Sequence, residues 1–249
     1  MTLHNLLNKT LIYILLMFIT SLVSVQAKTY HFAYIYGLVD QEVSVIIMDK
    51  VYQRLGLGFQ ATPLPGLRAQ QQANSGAVDG EVMRIFAYGG QTPNVIRVPT
   101  PFYSVITMGY VKKGSNIKVL DKSSLASYKL VKVLGVKHTD LISDEVDPKK
   151  IYNAHDPLKM MRYLQSGGAQ IALTNPLEGT VVLKQLGYNN IIPLEKALAK
   201  QPLYHYLHKK NQHLVPLVDD MLQKLKASGE LADIIHEAEQ TVIKRRTKQ

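Results

Sequence analysis

Residues 67–78 (LRAQQQANSGAV) and 158–169 (LKMMRYLQSGGA) share one outline, and that repetition constrains the fold more than any other feature of the chain. Each segment starts at a leucine, passes through a polar, helix-like run, reaches the glycine of a Ser-Gly pair and then turns apolar. A glycine in that place ends a helix where a left-handed residue is needed, and the apolar run behind it reads as a buried strand. Two copies predict two equivalent α/β lobes.

The rest of the sequence keeps the same rhythm. Strands are predicted at 30–36, 59–64 and 78–83, with helices at 41–55 and from Leu67. A long extended region at 95–111 is broken by Pro99 and Pro101. After Lys112 the pattern restarts: strand 128–135, a short helix 139–146, strand 151–153, helix 157–165, strand 171–174, helix 176–186 and strand 191–192. An extended segment at 203–210 precedes two amphipathic helices over 214–243. Alternating β and α elements imply mostly parallel sheets with right-handed crossovers and helices on both faces.

Residues 1–27 place Lys9 before an apolar run at 11–23 and end in Val25-Gln26-Ala27, which predicts a secretory signal peptide cleaved near Ala27; a membrane anchor is the alternative. The localisation implied is periplasmic. The chain has no cysteine, which excludes cysteine nucleophiles and thiolate metal sites. Its formal charge of +10 is spread over several short lysine and arginine clusters, with no basic helix interleaved with aromatics. Nucleic acid is therefore not an expected partner, whereas a positive field favours anionic small molecules. The eight histidines show no metal-binding spacing, and no phosphate-binding glycine loop is present, so no metal and no cofactor are expected. His205 and His208 fall on opposite faces of a predicted strand.

Five pieces, in order along the chain, carry a family resemblance: SGAVDGEV at 75–82, PTPFY at 99–103, LGVKHTD at 134–140, LQSGGAQIALTNP at 164–176, and the ending that runs from LYHYLHKKNQHL to LKASGELADII. Together they resemble the extracytoplasmic solute-binding proteins of family 3, the amino-acid-binding type with the type II periplasmic binding fold. The resemblance implies two lobes, 28–107 and 108–202, joined by hinge strands near 104–111 and 203–210, with 203–249 returning to pack on the first lobe. It also implies a monomer that closes on a small-molecule ligand and works with an inner-membrane permease of the ABC type or with a sensor protein. It implies a binding protein and not an enzyme, although cyclohexadienyl dehydratases share the fold.

Strand ends facing such a cleft supply the candidate ligand-binding residues: Tyr36, Asp40, Glu81, Arg84, Tyr103, Lys137, His138, Thr139 and Asn175. Thr139 matches the family threonine that meets a ligand carboxylate beside a helix N-terminus; an ordinary N-cap is the alternative. Two positions depart from the family. Thr92 stands where the family's arginine clamps the α-carboxylate, and Asn175 stands where an acid meets the ammonium group. Losing both charge-assisted contacts argues against a standard α-amino acid. Arg84 and Arg97 are the candidate replacements, with Glu81 paired to Arg84 three residues on.

Overall fold

A computed structural model describes residues 28–248; the predicted signal peptide, 1–27, lies outside the described residues. The first lobe opens with strand β1 (Thr29–Ile35), helix α1 (Val39–Arg54), β2 (Gly58–Leu64), α2 (Gly66–Ser75) and β3 (Gly80–Ile85). β1 pairs in parallel with β2 on one side and β3 on the other. The short helix α3 (Tyr88–Gln91) and β4 (Val95–Arg97) follow, and then β5 (Tyr103–Lys112) leaves for the second lobe. The second lobe contains β6 (Leu130–Val133), α4 (Lys137–Ile142), β7 (Ile151–Ala154), α5 (Pro157–Ser166), β8 (Ile171–Thr174), α6 (Pro176–Leu186) and β9 (Ile191–Pro193). Its central pairings, β6 with β7 and β6 with β8, are parallel. β10 (Ala199–His208) then returns to the first lobe, and helices α7 (Leu214–Ala227) and α8 (Glu230–Thr247) complete it.

The two long strands join the lobes. Over Tyr103–Thr107 and Ala199–Leu203 they pair antiparallel with each other; beyond that, β5 pairs with β8 and β9, while β10 pairs with β3 and β4. Pro99 and Pro101 sit in the loop between β4 and β5, where proline's missing N–H breaks no ladder. Gly76 and Gly167, the glycines of the repeated outline, have φ of 78° and 85° and cap α2 and α5 in the left-handed conformation.

Each lobe has its own apolar core. Phe32, Val43, Ile47, Tyr52, Val82 and Tyr206 are wholly buried in the first, and Val131, Met160, Met161, Leu164 and Ala172 in the second. The separation is incomplete, since Val181 of α6 belongs to the first core. Ile35 and Leu38, at the end of β1, pack into the second lobe's core and draw the two lobes together. Among the described residues no helix is long and apolar enough to cross a membrane.

Candidate functional site

The cleft between the lobes is built on four strand ends. After β1, Gly37 turns with φ of 80° and the chain enters α1 through Leu38, which offers no side-chain cap. Gln41 ties this corner down: its Oε1 accepts from the Ile35 N–H (3.0 Å) and its Nε2 donates to the Met83 carbonyl (3.3 Å). The uncapped N-terminus of α1 is completed from the other lobe, where Glu178 Oε2 accepts the Val39 N–H at 2.7 Å. A side-chain oxygen suits that place because it accepts one of the free N–H groups at the start of the helix.

β3 supplies the cation. In a regular strand, residues three apart point to opposite faces. Here Tyr204 and Tyr206 of β10, two apart, face Arg84 and Glu81, three apart, so β3 carries an extra residue and both charged side chains fall on one side. Arg84 Nε donates to Glu81 Oε2 at 2.5 Å, and its Nη2 donates to the Gly66 carbonyl at 3.0 Å. The Tyr88 hydroxyl donates to the other Glu81 oxygen, and the guanidinium lies 4.9 Å from the Tyr88 ring centroid. Burial raises the Glu81 pKa, and the Arg84 charge acts against that rise. Arg84 is thus a fixed cation, neutralised from behind.

The second lobe closes on this surface. A Cβ added to Gly66 would lie 2.9 Å from the Gly135 carbonyl oxygen, so the backbones of the two lobes touch there. His138, on α4, meets Thr107 Oγ1 through Nδ1 at 2.8 Å, and burial lowers its pKa to about 4, leaving it neutral at physiological pH. The cavity left between the lobes is about 30 Å³, on the scale of a single water molecule.

Of the nine predicted site residues, Asp40, Arg84, Lys137 and His138 line that cavity. The other five are placed elsewhere. Glu81 lies behind Arg84 and is wholly buried. Tyr36 is 64% exposed at a separate pocket beside Glu178 and Arg246. Tyr103 and Asn175 line a larger cavity on the hinge side. Thr139 is the clearest correction. α4 begins at Lys137, two residues earlier than the sequence suggests, so Thr139 neither caps the helix nor faces the cleft; its buried hydroxyl donates to the Val136 carbonyl at 2.8 Å. Asn175 is the N-cap of α6, its Oδ1 accepting from the Glu178 N–H at 2.8 Å. Arg97 stacks on Phe86 at 3.7 Å and on Tyr204 at 4.8 Å, away from the cleft.

Two contributors escaped the sequence reading, Gln41 and Glu178. Asn175 and Glu178 have the spacing of a capping box, in which the acid turns back on its own helix; here it reaches the other lobe instead. Glu178 is fully buried, and desolvation with the neighbouring Asp40 charge raises its pKa to about 8. Burial alone raises Asp40 to about 6.

No family model matches the chain. An uncharacterised protein of Shewanella oneidensis is 27% identical over 191 residues, covering 74% of this chain and 71% of that one. Solved structures resemble it throughout. A histidine kinase sensor domain with similarity to periplasmic binding proteins superposes with a TM-score of 0.71 at 14% identity, covering 86% of this chain and 95% of that one. An ancestral arginine-binding protein bound to glutamine gives 0.67 at 16% identity, covering 84% and 96%. The substrate-binding protein of an amino-acid ABC transporter gives 0.64 at 15%, covering 85% and 97%. The fold is that of the type II periplasmic binding proteins, and clefts at domain interfaces are common places for small-molecule sites.

Proposed function

We propose that this chain is an extracytoplasmic solute-binding protein of the amino-acid-binding type, family 3. In this reading residues 1–27 are a signal peptide removed near Ala27, and the mature protein is periplasmic and monomeric. Its lobes part and close on a small polar, anionic ligand that is handed to an ABC-type importer. The observation that carries the reading is Arg84. Its guanidinium is pinned by Glu81 and the Gly66 carbonyl at the floor of an interlobe cleft, with Lys137 on the opposite wall. A pre-oriented cation facing a second one suits an acidic group on the ligand. The hinge strands β5 and β10 allow the cleft to widen beyond its 30 Å³.

A sensor role is the second reading, and one observation favours it. The protein's own Ile35, Leu38 and Val39–Glu178 contacts hold the lobes together. A solute that binds inside must break those contacts, which suits a module that reports ligand through a large rearrangement. Catalysis is not part of either reading; turnover of prephenate or arogenate by the purified protein would revise both.

The test is native mass spectrometry of protein purified from its own periplasm, followed by thermal shift and small-angle scattering with any solute found. N-terminal sequencing of the same sample checks cleavage before Lys28. A ligand that raises the melting temperature and is weakened by Lys137→Ala supports the reading. A solute library without thermal shift or scattering change would refute binding. Loss of uptake on deletion of the chain separates import from sensing.

A further inference from the structure

A second cavity lies on the hinge side, bordered by β5, β10, α6 and α8. It measures about 680 Å³, the range of a drug-sized ligand site. Its body is apolar: Phe102 and Val105 come from β5 and its approach, Leu177 from α6, and Leu231 and Ile235 from α8. Both lobes and the connecting strands therefore wall it.

Two carboxyl groups lie in this apolar wall. Asp40 is only 5% exposed; it accepts a hydrogen bond from the neighbouring Gln41 N–H, and among the described residues no cation lies within ion-pair distance of it. Glu239, on α8, is half-buried and accepts from the Tyr103 hydroxyl at 2.6 Å, again with no cation paired to it. Burial, the hydrogen bond to Glu239 and the Glu239 and Asp40 charges all raise the Tyr103 pKa, and both carboxyls border the same cavity as that tyrosine. Lys200 and Lys226 stand exposed at the rim, and neither pairs with Asp40 or Glu239. A buried acid without a counter-charge at the end of an apolar cavity is complementary to a cation that brings its own apolar body.

We propose that the hinge-side cavity is a second ligand site, which takes a protonated amine on an apolar chain or ring, its ammonium between Asp40 and Glu239. Asp40 and Val105 also border the small cleft cavity, so the two sites share one wall. Occupancy of the hinge-side cavity has a mechanical consequence. Opening the front about the hinge strands brings Leu177 and α8 toward each other at the rear, so an occupant there resists opening and holds the lobes closed.

Isothermal calorimetry near neutral pH with 4-phenylbutylamine, 4-phenylbutanol and 4-phenylbutyrate tests the proposal. The amine should bind roughly tenfold tighter than the alcohol, as a charge-assisted hydrogen bond implies, and the carboxylate weakest. Asp40→Asn, which preserves shape, should erase the preference for the amine over the alcohol. Ala232→Trp, at an exposed position lining the cavity, should abolish binding of both. Equal affinity for all three probes would mean adventitious apolar adsorption. Tightest binding of the carboxylate would mean that Lys200 and Lys226 govern the site. Amine binding that survives Ala232→Trp would place it elsewhere. Each of these results, or no binding at all, overturns the proposal.

Discussion

Replacing Glu178 by glutamine should make the protein more stable at alkaline pH and leave it unchanged in acid. The carboxyl has no exposure to water, receives one N–H from Val39 at 2.7 Å, and has Asp40 and Glu42 as like charges with Arg246 as the opposing one. Its pKa is raised from 4.5 to about 8. Below 4.5 the group is protonated in the folded and unfolded chains alike and contributes no pH dependence. Between 4.5 and 8 the unfolded chain releases the proton while the folded one retains it, so stability falls as pH rises. Above 8 both are ionised and the cost is constant. At 1.36 kcal/mol per pH unit the whole loss is about 5 kcal/mol at most, and Asp40, titrating in the same window, shares in it. Glutamine keeps an oxygen for the Val39 N–H and carries no charge. Urea denaturation of both proteins from pH 4 to 9 gives a difference curve near zero at the acid end and rising by several kcal/mol in the variant's favour above pH 8. A difference independent of pH would refute the reasoning, because it would mean that Glu178 ionises as freely in the fold as in water.

Other expectations are checked by similar means. Arg84→Met should cost about 3–5 kcal/mol by leaving Glu81 buried without its partner, and the double variant with Glu81→Gln should recover most of that loss in denaturant melts. Loss of ligand binding in Arg84→Ala alone therefore says little unless folding is measured beside it. Gly66→Ala should cost about 1–3 kcal/mol through overpacking against Gly135, seen as faster amide hydrogen exchange in α4 while exchange in the β6 core is unchanged. His138 and His205 are both lowered from 6.5 to about 4 by burial, so the stability they favour is complete above pH 6.5 and lost as pH falls toward 4. His138→Gln should flatten that acid limb by up to about 3 kcal/mol in the same titration.

The fold was legible because its signals are local. The alternation of elements, the glycine stops after α2 and α5, and the proline-broken approach to β5 each depend on a few consecutive residues. The ring of His205 bonds the Tyr52 hydroxyl and the Val82 carbonyl inside the first core. The site was less legible because its signals are pairwise and distant. The β3 bulge that places Arg84 beside Glu81 depends on the register of β10, more than a hundred residues away. Asp40 and Tyr103 gave no hint from their neighbours that they border a hinge-side cavity. Thr139 is misplaced for a different reason: α4 starts two residues early, and two residues of helix turn a side chain by about 200° around the axis.

The departure at Thr92 shows how the cleft's electrostatics differ from the pattern it resembles. Thr92 is wholly buried and accepts from Gln70 Nε2 at 2.9 Å, so this position is absorbed into packing between α2 and α3. Arg84, the fixed cation of the first lobe, comes from β3 instead, and it brings Glu81 with it. The pair is close to neutral, which weakens its pull on a distant anion but leaves a well-oriented donor at short range. Lys132, the other lysine near α4, is occupied by Asp140 at 2.6 Å, and His138 is uncharged. The unneutralised charge in the cleft therefore rests with Lys137, opposed by Asp40 whenever that group ionises. An anion's affinity should then fall as pH rises through about 6, where burial holds the Asp40 pKa, and Asp40→Asn should remove that dependence. Affinity that is flat across that range in the native protein would place the ligand's charge away from Asp40 and Lys137.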